Sequence, residues 1–253
     1  MPLTATLRIP GACPTARLST HDGDLRAAQR LRHRCFIEAR GLPARPHGLD
    51  ADGHDALCRH LLVEDASGLL ATARLRLFPD GRTLGDSYAA RTHDLRRLRR
   101  FPAPLLELGR LCVRPGGPEA LALRAAWGCL ARLVDEAGAR LLFGCASFEG
   151  ADPAPHLPAL ALLGREHLAP VPWRPGKGAP ETVDLARLPA PPDRLAASRA
   201  VPPLLRSYFV LGGWVGRHAV IDRDLDTLHV LTAVETARVP PARARALRLL
   251  ASG

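Results

Sequence analysis

Residues 105–115 read Leu105-Leu106-Glu107-Leu108-Gly109-Arg110-Leu111-Cys112-Val113-Arg114-Pro115. This is an apolar run of strand length that carries one carboxylate and one guanidinium. Strand side chains alternate between faces, so Glu107 shares a face with Gly109 and Leu111, while Arg110 points the other way with Leu108. A bulge at Gly109 would change that alternation and bring both heads to one cleft. Charges inside an apolar strand are expensive unless they are paired or used. The segment is therefore either a structural ion pair at a strand end or the seat of chemistry.

The stretches on either side supply the architecture. Residues 118–138 follow as a helix with Pro118 in its first turn, and 141–148 form a second apolar strand. Strand, helix and adjacent strand predict a crossover connection and a parallel pair. Upstream, 22–40 has helical apolar spacing, with Asp22 and Asp24 as candidate caps and Gly41 and Pro43 as terminators. A polar loop at 44–55 leads to strands 58–64 and 69–78, joined at Ser67-Gly68. Downstream, 151–193 holds ten of the 24 prolines and reads as an irregular covering layer, interrupted by ordered pieces at 157–167 and 182–188. A helix at 203–212, strands at 215–221 and 228–234, and a short helix at 241–250 complete the chain. The expected class is α+β in three layers, as a single domain over 1–253. Its core spans about 16–150, the proline-rich segment 151–193 covers it, and 194–253 completes it.

The 253 residues carry 35 Lys+Arg against 25 Asp+Glu, a net charge of +10, and Lys177 is the only lysine. Arginine-for-lysine skew is what a GC-rich coding sequence gives, so the net excess is the physical signal. It favours an anionic partner: nucleic acid, an acidic protein or anionic lipid. Aromatics are only 4%, and no helix-turn-helix or finger accompanies the charge, which argues against nucleic acid. Cysteines 13, 35, 58, 112, 129 and 145 form no C-x-x-C pair and have no histidine at finger spacing. They are expected as buried thiols in a reducing compartment, with no metal site. The amino terminus lacks the order of a signal peptide, and no apolar run reaches the roughly 18 residues of a membrane span. A cytoplasmic protein is expected, with at most peripheral contact at the inner membrane.

Several chemistries are missing. There is no G-x-x-x-x-G-K-[ST], no G-x-G-x-x-G after a strand and no G-x-S-x-G elbow. An H-x-x-x-x-D occurs at His47…Asp52, but ten histidines make one such match unremarkable, and a polar loop is the expected reading.

Glu107-x-x-Arg110, Arg32-x-x-x-Phe36, Asp52-x-x-Asp55 and Arg74 together resemble the motif set of acyl-homoserine-lactone synthases. Further blocks resemble the ornithine lipid biosynthesis N-acyltransferase family, a haemolysin-like branch of the GNAT superfamily, more closely. They are Phe143-Gly144-Cys145-Ala146-Ser147-Phe148-x-Gly150-x-Asp152-Pro153, Leu204-Leu205-x-x-Tyr208-x-x-Leu211-Gly212, and Val215-Gly216-x-x-Ala219-Val220-x-Asp222-x-x-x-x-Thr227-x-x-Val230. The resemblance covers about residues 16–245. It implies a GNAT fold, with a mixed sheet splayed between 105–113 and 141–148. It also implies transfer of a 3-hydroxyacyl chain from acyl carrier protein to the α-amine of L-ornithine, giving lyso-ornithine lipid. No bound cofactor is expected, because the acyl donor arrives on the carrier's 4′-phosphopantetheine, which lines up beside an open strand edge. An autoinducer synthase using S-adenosylmethionine ranks second, and a non-catalytic basic lipid- or carrier-binding module third.

Roles follow from that chemistry. Glu107, directly or through a water, is the candidate base, with Arg110 beside it. Arg110, Arg74 or Arg32 suits the substrate carboxylate, and Asp52 and Asp55 suit the δ-ammonium. Phe36 walls the acyl channel or is plain core. Leu111, Cys112, Val113, Cys145, Ser147 and Phe148 border the slot, and backbone N–H groups at 111–113 meet the oxyanion. The loop Arg114-Pro115-Gly116-Gly117-Pro118-Glu119 has two prolines and an acid where acetyl-CoA enzymes of this fold cradle a pyrophosphate, which favours a carrier-protein donor. Arg96, Arg97, Arg99 and Arg100 form a candidate docking patch for that acidic carrier. The tail leucines 247, 249 and 250 among Arg238, Arg243, Arg245 and Arg248 suit a lipid surface.

Overall fold

A computed structural model describes residues 6–7 and 14–252. In chain order the main elements are β1 (Thr6–Leu7), β2 (Thr15–Leu18), α1 (Asp22–Phe36), β3 (Arg59–Asp65), β4 (Gly68–Phe78), β5 (His93–Asp94), β6 (Leu105–Val113), α2 (Glu119–Glu136) and β7 (Leu141–Glu149). They continue with α3 (Leu157–Glu166), β8 (Gly176–Lys177), β9 (Thr182–Asp184), α4 (Arg194–Ala200), α5 (Pro203–Val210), β10 (Trp214–Asp222), β11 (Thr227–Glu235) and α6 (Pro241–Ser252). The chain divides into two compact units: residues 1–76, 108–138 and 241–253 form the first, and 77–107 with 139–240 the second.

In the first unit the strand order is β1-β2-β3-β4-β6, and β2, β3 and β4 run antiparallel. Gly68, at φ 102, makes the tight turn between β3 and β4 that the Ser67-Gly68 pair predicts. Helices α1 and α2 pack on β3, and α6 lies on α2. That last contact is backbone to backbone: a Cβ at Gly128 would come 2.5 Å from the Leu250 carbonyl oxygen, so only glycine fits there. Leu250 is thus turned inward, Leu247 is half-buried, and Leu249 is the one tail leucine left outward, 74% exposed. Helix α1 stops at Phe36, short of the expected Arg40, and a separate 3-10 turn covers Glu38–Arg40. Its cap is His21, whose Nδ1 accepts from the Asp24 amide. The expected cap Asp24 is instead buried in a bidentate pair with Arg17, at 2.7 and 2.8 Å.

In the second unit the order is β6-β7-β11-β10-β9. Strand β7 pairs with β11 along all nine residues, from Leu141↔Glu235 to Glu149↔Thr227. With β6 it forms the parallel ladder that the crossover reading predicts, but over three residues only: Leu105↔Leu141, Leu106↔Leu142 and Glu107↔Phe143. Among the described residues that ladder goes no further. The proline-rich stretch contributes α3 and β9, and α3 shields a core of Phe148, Leu160, Leu163, Leu185, Leu205 and Leu228. Helix α4 follows at its carboxyl edge, capped by Asp193, which accepts from the Leu195 and Ala196 amides.

Candidate functional site

Three aspartates and three arginines of the first unit form one network. Asp55 takes five donors: Arg32 Nη1 at 2.8 Å and Arg74 Nη1 at 3.2 Å on one oxygen, and Arg32 Nη2 at 2.7 Å, Gln29 Nε2 at 2.9 Å and the Asp52 amide at 3.3 Å on the other. Arg32, the largest fully buried side chain, also donates to the Asp50 carbonyl and pairs with the Asp50 carboxylate at 3.1 Å. Arg74 reaches Asp52 at 2.6 Å. Burial pushes the Asp55 carboxyl up, but the Arg32 hydrogen bonds and charge, helped by Gln29 and Arg74, hold it well below the ordinary carboxylate range. Burial likewise raises Asp52, and the Arg74 charge and hydrogen bond bring it back below its usual value.

Arg110 enters this network by a backbone irregularity. Its φ is +52, a left-handed conformation uncommon for a residue with a side chain and rare inside a strand. The break in alternation anticipated at Gly109 therefore lies one residue on. Arg110 Nε donates to Asp50 Oδ2 at 3.1 Å, its guanidinium lies over the Phe36 ring at 5.8 Å, and its Nη2 stands 4.0 Å from Asp52 Oδ2. Asp52, a quarter exposed, and Arg110 mark the open side of the network; Arg32 and Asp55 mark its sealed side. Both latter residues are expected from the sequence to touch substrate; in the structure they pair with each other at 1% and 5% exposure. Beside Arg110, a Cβ placed on Gly109 would meet nothing within 4 Å. The missing side chain leaves space.

Glu107, in the second unit, is 5% exposed and is the last residue of the three-residue ladder. Its two oxygens accept from the Ala89 amide at 2.8 Å and the Tyr88 amide at 3.1 Å. A carboxylate accepts at both oxygens, and these two bonds orient it. On β7, Cys145 and Ser147 share a face, with Ser147 exposed, whereas Phe148 alternates to the other face and packs in the core under α3. The Phe148 side chain is thus a core residue, so whatever part this position has in the expected slot falls to its backbone. Of the β6 group, Cys112 is buried and the Val113 carbonyl accepts from Cys35 Sγ at 3.3 Å; Leu111 is half-buried.

Three amides of the loop before α2 are already spent on protein carbonyls. Arg114 N donates to the Leu70 carbonyl, Gly117 N to Arg114 and Glu119 N to Gly117, and positions 115 and 118 are prolines. Little of it is left to cradle a pyrophosphate. The expected basic patch borders a cavity of about 430 Å³ in the second unit, lined by Asp94, Arg96, Arg97, Arg100, Arg174 and Arg217 among others. Arg96 is 85% exposed and pairs with Asp94, Arg97 donates to the Val171 carbonyl, and Arg99 reaches the Arg82 carbonyl. Arg99 is therefore outside the lining that Arg96, Arg97 and Arg100 share. His47 is exposed on a left-handed turn, as a polar loop requires. Asp50 and Gln29 complete the network without standing in any spaced motif; the signal available was Asp50's place two residues before Asp52.

The acetyltransferase (GNAT) domain family matches residues 31–127. An L-ornithine N(alpha)-acyltransferase of Rhodobacter capsulatus is 36% identical over 231 residues, covering 87% of this chain and 89% of its own length. One of Brucella abortus is 33% identical over 245 residues, covering 88% and 84%. Among solved structures, the AHL synthase LasI superposes with a TM-score of 0.49 at 15% identity, over 89% of this chain and 91% of the other.

Proposed function

The chain belongs to the L-ornithine N(alpha)-acyltransferases, acyltransferases built on the mixed α+β sheet of the GNAT fold, and from that premise we propose that it moves a 3-hydroxyacyl chain from acyl carrier protein to the α-amine of L-ornithine, giving lyso-ornithine lipid. The observation that carries this reading is Glu107: an amide-oriented carboxylate on the last rung of a parallel ladder that spans three of nine residues. The thioester carbonyl would lie where that ladder ends, with its pantetheine arm following the β7 edge beyond Phe143 by strand addition.

An amine attacks only when neutral. The α-amine, titrating near about 8, loses its proton more easily than a side-chain amine near about 10.4, so the α position reacts. Glu107 takes a proton from the attacking nitrogen, directly or through a water, the C–N bond forms, the C–S bond breaks, and the thiolate leaves to be protonated. Arg110, its side chain 14% exposed beside Asp52 at 4.0 Å, suits the two ends of a zwitterion: guanidinium for the carboxylate, Asp52 for the ammonium. Arg32 and Asp55 hold that pair in place. The loop at 114–119, with three amides already spent, favours a carrier-protein donor over free coenzyme A, and the arginine-lined cavity supports docking of an acidic carrier.

The test is product mass spectrometry with purified enzyme, comparing 3-hydroxyacyl-carrier protein with 3-hydroxyacyl-coenzyme A, and ornithine with S-adenosylmethionine. N-acyl-ornithine formed preferentially from the carrier protein supports the reading. Equal use of coenzyme A removes the donor assignment, and acyl-homoserine lactone removes the acceptor.

A further inference from the structure

A second group of chemistry-bearing side chains lies in the second unit, and the proton transfer and substrate binding just described call on none of them. Cys145 sits in the middle of β7 opposite Leu231 of β11, and His229 sits opposite Ser147, so the thiol and the imidazole are diagonal neighbours on one face of the ladder. His93, in β5, brings its ring edge-on to that of His229, with centroids 5.5 Å apart and planes at 70°. A ring nitrogen of each histidine and Cys145 Sγ all lie within 4.8 Å of one another. The imidazoles are 3% and 4% exposed.

Nothing on the protein side accounts for His93. Its Nε2 is buried and, among the described residues, accepts and donates no hydrogen bond, whereas buried polar atoms are otherwise satisfied. Its position is nonetheless enforced, because Gly178 lies flat on its backbone, where a Cβ would come within 2.7 Å of the His93 carbonyl carbon.

We propose that His93, Cys145 and His229 bind a zinc-class divalent cation, with two imidazole nitrogens and one thiolate as ligands and a water in the fourth position. Nitrogen and sulfur in that ratio suit tetrahedral zinc, and ligand atoms already gathered this closely need only small side-chain rotations to close on it. Binding replaces the thiol proton with the metal–sulfur bond and releases that proton to solvent, so affinity rises with pH. The cation would fasten the two-residue β5, otherwise paired only with β8, to the β7–β11 ladder. The three ligands come from distant parts of the chain, which is why no spaced motif marks them.

The probe is Co²⁺, then Zn²⁺, added to tag-free full-length protein after chelator dialysis. One equivalent of cobalt should give the visible bands of a tetrahedral site together with a thiolate-to-cobalt charge-transfer band, both lost on adding zinc. Zinc should raise the Tm with concentration and slow alkylation of Cys145, read by peptide mass spectrometry, without slowing that of Cys58. Cys145→Ser should abolish the charge-transfer band, and His93→Gln should weaken cobalt binding by about tenfold or more. No spectral change with wild-type protein, an unaltered Cys145 alkylation rate, or bands that persist in both variants would each overturn the proposal. The alkylation arm needs no variant, so it decides the matter even if the substitutions do not fold.

Discussion

Arg32 and Asp55 in the first unit, and Glu107 in the second, are all buried charged groups, yet they are held in opposite ways. In the first unit charge holds charge: Asp55 gathers two arginines, a glutamine and an amide, and Asp50 is shared between Arg32 and Arg110. In the second unit the backbone holds charge, with two consecutive amides orienting Glu107. The first arrangement is a web of ion pairs and costly to break, which suits positioning. The second sets one carboxylate at the end of a short ladder, which suits proton transfer. Substitutions in the two regions should therefore fail differently, the first in stability and the second in rate.

The largest effect is expected at the base. Glu107→Gln keeps the shape but only one of the two amide bonds, because the carboxamide nitrogen cannot accept; kcat should fall by about 10²–10⁴-fold, with KM for ornithine little changed and a stability loss of only about 1–3 kcal/mol. A rate within tenfold of wild type would move the proton transfer elsewhere and collapse the contrast. Arg32→Met should do the reverse. It leaves Asp55 and Asp50 buried without their shared partner, and should cost about 3–5 kcal/mol in urea unfolding; a stability unchanged within error would show that the network is not the clamp described. Gly109→Val separates the two modes inside a single strand. Space is open at its Cβ and valine favours strands, so the Tm should hold while kcat/KM falls by about 10²-fold through a displaced substrate. Full activity would mean that the space is not used.

The smallest effect is in acid. Asp55 titrates lower when folded than when unfolded, so its stabilisation is complete above about pH 4, where the unfolded carboxyl is ionised, and is lost as pH falls below that. Tm measured from pH 5 downward should fall, and Asp55→Asn should flatten that slope. An identical slope in the variant would place the acid sensitivity in other carboxylates, Asp24 with its Arg17 pair first among them.

The strands were legible from their apolar runs, and Glu107 and Arg110 from the charges that interrupt one of them. Arg32, Asp52, Asp55 and Arg74 were singled out by resemblance to a motif set, which does not say that they meet in one network. The division of labour among them was not legible, since it depends on which guanidinium is sealed in and which faces outward, and that depends on Arg110 adopting a left-handed backbone. Glu107's partners are main-chain amides of Tyr88 and Ala89, and amides leave no mark in a sequence. Phe148 was misplaced for a plain reason: period-two alternation puts it opposite Cys145 and Ser147, and a motif block hides that parity. His229 meets Cys145 through the register of β7 on β11, and His93 is set by the pairing of β5 with β8 and by Gly178 on its backbone, so no sequence spacing marks the three.

The most direct measurement is the site of the new bond. Ornithine carrying ¹⁵N at the α-amine alone would be given to the enzyme with 3-hydroxyacyl-carrier protein labelled with ¹³C at the thioester carbonyl, and the product read by NMR. The account predicts a one-bond ¹³C–¹⁵N coupling in the quenched product. Acylation at the unlabelled δ-nitrogen, or release of the free 3-hydroxy acid without an amide, would contradict it.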